Sequence, residues 1–170
     1  SIVKKAKCDR FIVHARKAWL KGLSPKENRT IPPLRYDEVY QLKRDFADQT
    51  IVINGGIKRL EHVTEHLKQV DGCMLGRAAY DNPFLFVQAD VVVFGEKAPP
   101  PSREDIVKAM LPYADHWIKQ GVSLNAITRH MMGLFQNLPG ARKWRRLLSA
   151  LNAQHGSSNT ALGILRDYSA

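Results

Sequence analysis

Cysteine and acidic residues are both scarce in this sequence of 170 residues. Only Cys8 and Cys73 occur, with no CxxC motif, so the sequence indicates neither a disulfide framework nor a zinc knuckle. A reducing, cytoplasmic setting is the simplest interpretation. The 16 acidic residues face 26 lysines and arginines, which leaves a net charge of +10. A balance this basic favours a polyanionic partner.

Long apolar runs are missing as well. The longest stretch, residues 83–95, is interrupted by Gln88 and Asp90 and is too short to span a bilayer. The first ten residues contain no signal-peptide hydrophobic region, so we expect no membrane partner. With 44% apolar and 25% charged residues, the composition is globular and excludes disorder and coiled coil. The length suggests one domain or two small ones.

Three consecutive prolines divide the sequence. Residues 99–101 stop regular structure and predict a stiff linker between a first domain, residues 1–98, and a second, residues 102–170. Before the linker, apolar runs of strand length at 11–13, 51–53 and 73–75 alternate with amphipathic segments at 35–46 and 59–67. That alternation predicts an α/β fold with a parallel sheet.

After the linker the pattern is helical and predicts a small helical bundle. Ser102 is the expected cap of a first helix, which Pro112 should kink or split. Its inner stripe is predicted to hold Ile106, Met110, Ala114 and Trp117. Further helices are predicted over residues 123–138, 141–152 and 160–168.

Polar or glycine residues follow every predicted strand. They are His14 after the first strand, Asn54-Gly55-Gly56 after the second and Gly76-Arg77 after the third. We expect both glycine turns to open directly into helices, and His14, Asn54 and Gly76 to lie level with one another. In parallel α/β folds ligands bind at this edge, and two glycine turns on successive strands are typical of a phosphate site in a (β/α)8 barrel. His14 has two open interpretations, a cofactor contact or a buried histidine that bonds a backbone carbonyl.

Two basic clusters favour an anionic macromolecule. The loop of residues 16–34 leaves the ligand-binding edge without helix or strand periodicity, and carries five cations against Glu27 alone. The second cluster is residues 142–146, where Arg142, Arg145 and Arg146 share one helix face while Trp144 faces the core with Leu147, Leu148 and Leu151. For both clusters an ordinary solvated surface is the alternative.

Two lesser candidates fail. His62 and His66 have a spacing that zinc can use on a helix, but no third ligand is recognisable and their face looks exposed, so no metal is expected. Neither cysteine has a basic neighbour that would activate its thiol, and Cys73 is interpreted as strand core.

Four segments resemble the C-terminal part of the tRNA-dihydrouridine synthases, and the likeness covers essentially the whole chain. They read FIVHARKAWLKGLSPKENR, IVINGGI, GCMLGRAAYDNP and HMMGLFQNLPGARKWRRLLS. The branch resembled most is the A-type, which acts on D-loop uridines 20 and 20a. These enzymes bind FMN on a (β/α)8 barrel, followed by a helical domain that binds tRNA. NADPH recharges the flavin, which delivers hydride to the uracil 5,6 double bond, and a cysteine protonates the neighbouring carbon.

The resemblance implies roles for ten residues of this sequence. The implied FMN contacts are His14, Asn54, Gly55, Gly56, Gly76 and Arg77, and the implied tRNA contacts are Lys26, Arg29, Arg142 and Arg145. A complete barrel needs about 250 residues, and the three strands here look like its sixth to eighth. No cysteine here matches the catalytic cysteine of the family, so we expect the chain alone to be inactive. We also expect the full-length protein to be a monomer. A small-molecule FMN oxidoreductase and a non-catalytic RNA-binding module remain alternatives.

Overall fold

The first part of the chain forms a parallel sheet. A computed structural model describes residues 8–153, and side chains as far as residue 150. Three strands pair in sequence order, β1 (Arg10–His14), β2 (Thr50–Asn54) and β3 (Gly72–Met74). In the register of β2 with its two neighbours, Ile51 lies opposite Phe11 and Ile53 opposite Cys73. All three predicted strands are confirmed, with ends that differ by one residue.

Four helices accompany these strands along the chain: α1 (Pro25–Asn28), α2 (Tyr36–Asp45), α3 (Leu60–Leu67) and α4 (Arg77–Asp81). The predicted helices over 35–46 and 59–67 are confirmed as α2 and α3, which bury Val39 and Val63. The periodicity of the sequence does not reveal α1, because a single helical turn is too short to show a repeat.

The sheet has one covered face and one open face within the described residues. Ile51 and Ile53 are fully buried because α2 lies against β2 and α3 lies against β3. On the other face, Ile12 of β1 is 57% exposed and Met74 of β3 is 41% exposed. Parallel sheets normally have both faces covered. Exposed apolar residues on this face are therefore expected where further chain covers the sheet in the complete fold.

The segment before the proline run is helical. A 3₁₀ helix (Pro83–Gln88) leads into α5 (Ala89–Phe94). Gly95 ends α5 in the left-handed conformation, with φ of 72°, which glycine adopts without steric cost.

The predicted cap begins the longest helix, α6 (Arg103–Lys119). The Ser102 hydroxyl accepts from the Asp105 N–H at 3.0 Å, and the Asp105 carboxylate accepts from the Ser102 N–H at 3.0 Å. Of the two effects expected of Pro112, a split is excluded because α6 continues through it, and a kink stays a prediction. The inner stripe also differs from the prediction, since Val107 is buried with Ala114 whereas Trp117 is 40% exposed.

The predicted helix over residues 123–138 is wrong beyond its first part. Helix α7 (Leu124–Thr128) tightens into a 3₁₀ turn (Arg129–Met131), and turns follow as far as residue 140. Gly133 lies against the backbone of Asp81, where no Cβ would fit, and Asn137 has a positive φ of 64°. Close approach and left-handed backbone override the apolar periodicity here.

The last described helix, α8 (Ala141–Ala153), supplies the centre of the second core. Trp144 is 0% exposed, and its indole N–H donates to the Met131 carbonyl at 2.8 Å. The Phe135 ring lies 4.9 Å from the Trp144 ring, and Leu148 is fully buried beside them. The prediction that Trp144 packs in the core is confirmed. The side chain of Leu151 and the predicted helix over 160–168 lie outside the described residues.

The chain falls into two compact units that divide between Ala78 and Ala79. The sequence places the boundary about twenty residues later, at the proline run. The intervening segment groups with the later helices because Phe84 packs against the core around Trp144. The assignment of a barrel part to residues 1–98 and a tRNA-binding domain to 102–170 stays a prediction. No helix in residues 8–153 is long and apolar enough to cross a membrane.

Trp144→Ala is expected to lower the free energy of unfolding by about 3–5 kcal/mol, because it opens a cavity in a closed core. Trp117→Ala serves as the control and should cost less than about 1 kcal/mol, since Trp117 is half-exposed on the same unit. Urea unfolding followed by circular dichroism measures both. Equal losses in the two variants would contradict the assignment of Trp144 to the core.

Candidate functional site

Three side chains share one face at the carboxyl edge of the sheet. His14 pairs in register with Asn54, and Asn54 with Met74, so all three lie side by side on the open face. The edge is closed by a further backbone bond from the Ala15 N–H to the Asn54 carbonyl at 2.7 Å. The sequence analysis does not single out Met74 as a neighbour of these residues, because an apolar strand residue carries no signal of its own. Gly76, expected level with His14, lies two residues beyond the end of β3.

The Gly55-Gly56 turn strongly favours glycine at both positions. Both glycines have positive φ, 115° and 72°. A Cβ on Gly55 would lie 3.3 Å from the His14 ring, and one on Gly56 would lie 2.6 Å from the Leu34 side chain. The Tyr36 hydroxyl donates to the Gly55 carbonyl at 2.8 Å and holds the turn from α2. The expectation that this turn opens directly into a helix is wrong, since α3 begins only at Leu60.

The Gly76-Arg77 turn has the predicted form. Helix α4 begins at Arg77, directly after Gly76, and a Cβ on Gly76 would meet no atom within 4 Å. The exposed Arg77 guanidinium donates to the backbone carbonyl of Arg29 at 3.0 Å. It therefore joins the end of β3 to the basic loop of residues 16–34.

His14 lies in a positive environment. Its pKa is lowered first by burial and then by the charges of Arg16, Arg29 and Arg77. Three guanidinium groups thus lie near the edge where β1 and β2 end, and no carboxylate contributes to that shift. Half-buried beside a glycine turn, the ring is neutral at pH 7 and the cations are available to an anion. A contact between His14 and a cofactor stays a prediction.

The basic loop is folded although it lacks periodicity. Arg16 pairs with Leu34 in an antiparallel bridge, and the Arg16 guanidinium donates to the Pro32 carbonyl, which closes the base of the loop. Within it, α1 begins with a reciprocal cap between Ser24 and Glu27. Lys26 and Arg29 are exposed. The spacing Ser-Pro-Lys-Glu is the signal that identifies this helix start in the sequence.

The second basic cluster has the predicted arrangement. Arg142, Arg145 and Arg146 are exposed on α8, while the opposite face of the helix is buried in the core. The face therefore presents three guanidinium groups to solvent. Their contact with nucleic acid stays a prediction.

The histidine pair on α3 has a structural role that the sequence analysis misses. His66 is buried, in contrast to the exposed face expected, and its Nδ1 lies 2.6 Å from the Tyr40 hydroxyl. The Tyr36 ring contacts it edge-on at 4.5 Å. Burial, followed by the charge of His62, lowers the pKa of His66. No group of three or more His, Cys, Asp or Glu side chains in the described part of the chain is able to hold a metal ion.

The Cys73 thiol is not activated by its surroundings. Burial raises the pKa of the Cys73 thiol to about 11, and its Sγ lies 3.7 Å from the Val63 carbonyl. This agrees with the interpretation of Cys73 as part of the strand core. Cys8 is exposed at the start of the described residues.

Comparison with known proteins shows the family to which the chain belongs. The family model described as dihydrouridine synthase matches residues 1–168. The chain belongs to the dihydrouridine synthase family. The dihydrouridine synthases are flavin-dependent and belong to the TIM-barrel folds, and the small parallel sheet with its helices agrees with part of such a barrel.

Several curated relatives of this dihydrouridine synthase chain carry the name tRNA-dihydrouridine(20/20a) synthase. The protein of Shewanella oneidensis is 57% identical over 150 residues, 88% of this chain and 45% of the relative. The protein of Synechocystis is 55% identical, over 87% of this chain and 44% of the relative. The protein of Vibrio cholerae is 52% identical, over 88% of this chain and 46% of the relative. The chain thus spans about half the length of the curated relatives that it matches.

His14 should titrate below its ordinary pKa of about 6.5, because burial and then the neighbouring arginines disfavour its protonated form. The stability that depends on neutral His14 should be complete above about pH 6.5 and decline as the pH falls through the lowered pKa. NMR titration of the ring checks this, and Arg77→Gln should move the midpoint upward. A midpoint at or above 6.5 in the unsubstituted protein would contradict the geometry of the cluster.

Proposed function

We propose that this chain is part of a flavin-dependent tRNA-dihydrouridine synthase, which reduces the 5,6 double bond of D-loop uridines to dihydrouridine. The observation that carries the proposal is the family match over residues 1–168. NADPH is the proposed reductant and FMN the proposed cofactor. We further propose that the full-length protein is cytoplasmic and monomeric.

The strand ends fit the phosphate of FMN. The backbone of the Gly55-Gly56 turn is bare because a Cβ would strike its neighbours, and Arg77 stands at the next turn. Backbone N–H groups beside a guanidinium are the usual means of binding a phosphate. We assign the cofactor contacts to His14, Asn54, Gly55, Gly56, Gly76 and Arg77. When bound, the flavin supplies hydride transfer, and these residues hold and orient it.

The two basic clusters fit a tRNA. Lys26 and Arg29 lie on the loop that leaves the sheet edge, and Arg142 and Arg145 lie on the exposed face of α8. Phosphate contacts from lysine and arginine supply most of the affinity for nucleic acid and carry no sequence information. The helices after the proline run are accordingly the proposed tRNA-binding domain. A small-molecule flavin enzyme would have no need for either cluster.

The catalytic proton donor is assigned to no residue of this chain. Cys73 is unsuitable because it lies beside Ile53 on the covered face of the sheet, with its Sγ near the Val63 carbonyl, and Cys8 precedes the amino end of β1, away from the carboxyl edge of the sheet. The open sheet face around Ile12 and Met74 is the proposed place where the rest of the barrel packs. The full-length protein is therefore proposed to supply the missing strands, the proton donor and part of the flavin site.

The full-length protein should be yellow and should form dihydrouridine in tRNA with NADPH, whereas the 170-residue chain alone should do neither. A barrel draws its cofactor site from many strand ends, and only three parallel strands lie within the described residues. Flavin absorbance and dihydrouridine formation are the measurements. A full-length protein that binds tRNA without flavin would instead support an RNA-binding module, and stoichiometric flavin on the 170-residue chain would contradict the need for the missing strands.

Alanine at both Arg142 and Arg145 should weaken tRNA binding by the full-length protein and lower the slope of log affinity against log salt by about 1 per lost phosphate contact. Reduction of the flavin by NADPH should stay unchanged because it requires no RNA. Titrations at several salt concentrations measure the slope. Alanine at Glu104, an exposed residue of α6, is a control for surface substitution on the same unit. If the tRNA affinity and the salt slope are unchanged in the double variant, the two arginines belong to an ordinary solvated surface and do not contact tRNA.

A further inference from the structure

Two large apolar side chains protrude from the basic loop. Trp19 is 46% exposed and its neighbour Leu20 is 94% exposed. We call these two residues the Trp19–Leu20 tip. Trp144, in contrast, is wholly buried with its N–H donated to a carbonyl. An exposed tryptophan beside an exposed leucine on one loop is available to contact another molecule or the part of the full-length protein that lies outside this chain.

The backbone of the tip is held in place. The Asn28 side chain accepts from the Trp19 N–H at 2.7 Å and donates to the Trp19 carbonyl at 3.0 Å. The same amide donates to the Leu23 carbonyl at 3.3 Å. Asn28 is itself fixed at the end of α1, which Ser24 and Glu27 cap. The indole is therefore presented outward from a fixed backbone, which lowers the entropy cost of a contact.

The surroundings of the tip are cationic. The loop carries five lysines and arginines, at positions 16, 17, 21, 26 and 29. Its one acidic residue, Glu27, accepts from the Ser24 N–H at 2.8 Å within the helix cap. Five cations against this one carboxylate leave the loop with a net charge of +4.

We propose that the Trp19–Leu20 tip binds an unpaired base of an RNA strand, with Trp19 stacked on the base and the loop cations on the flanking phosphates. Aromatic platforms within basic surfaces are the general means of binding unstacked nucleotides. Two side chains cover one base, whereas a specific protein interface requires about 1,000 Å². The proposal rests on the proposed function for its ligand, which there is tRNA.

Three variants of the full-length protein test the stacking contact. Trp19→Ala should weaken tRNA binding about 5- to 150-fold, the usual effect of removing one stacked aromatic. Trp19→Phe keeps a ring and should recover most of that affinity. Phe94→Ala removes an exposed aromatic ring that lies outside both the basic loop and the helices after the proline run, and is the matched control, expected to bind like the parent.

The salt dependence separates stacking from charge. Trp19→Ala should weaken binding at every salt concentration without changing the slope of log affinity against log salt, because a stacked ring releases no counterion. Lys26→Ala should lower the slope by about 1. Stacking should also quench the Trp19 emission, seen as a difference between the parent and Trp19→Phe when tRNA is added.

The outcomes are distinct. A parent protein that does not bind tRNA would refute the proposed function. A parent that binds tRNA, with Trp19→Ala binding equally well, would overturn the stacking contact alone. Failure of Trp19→Phe to recover affinity would also overturn it, because the loss would then come from the fold of the loop. The tip could instead bind anionic phospholipid vesicles while Trp19→Ala leaves the tRNA affinity unchanged. That result would identify a membrane surface as the partner of the tip and would also overturn the stacking contact.

Discussion

The parallel pairing of β2 with both neighbours is the constraint on which the first unit depends. Because the strands run in one direction, their carboxyl ends meet at one edge, and His14, Asn54 and Met74 become neighbours there. Burial of Ile51 and Ile53 against the helices selects the face, since a slip of one residue would turn every side chain over. The position of the candidate site thus follows from the hydrophobic pattern of a short central strand.

Arginines hold the site together while they keep their charge. Arg16 donates to the Pro32 carbonyl and Arg77 to the Arg29 carbonyl, so both ends of the basic loop are attached close to the strand ends. A carbonyl partner leaves a guanidinium positive, whereas a carboxylate would neutralise it. The resulting field lowers the pKa of His14, after the larger effect of its burial, and is complementary to phosphate groups of a cofactor or a nucleic acid.

Local patterns were sufficient for much of the fold. The β-branched run of β2, the periodicity of α2 and α3, and the Ser102 cap each correspond to an element in the structure. The failures have physical causes. Periodicity predicted one helix over 123–138, but Gly133 packs against backbone and Asn137 adopts positive φ. The compact units divide before the prolines because Phe84 joins the second core, whereas the assignment of the two domains stays a prediction.

The sequence by itself determined the three strands, the basic clusters, the glycine turns and membership in the dihydrouridine synthase family, because these depend on local composition and motifs. Only the tertiary structure decided that Tyr36 holds the Gly55 carbonyl, that Arg77 bonds the backbone of Arg29, and that Asn28 positions Trp19. The reason is that each contact joins parts of the chain that are distant in sequence, from 9 residues for Asn28 to 48 for Arg77. The contacts of Tyr36 and Arg77 in addition exist only once the sheet has brought its strand ends to one edge.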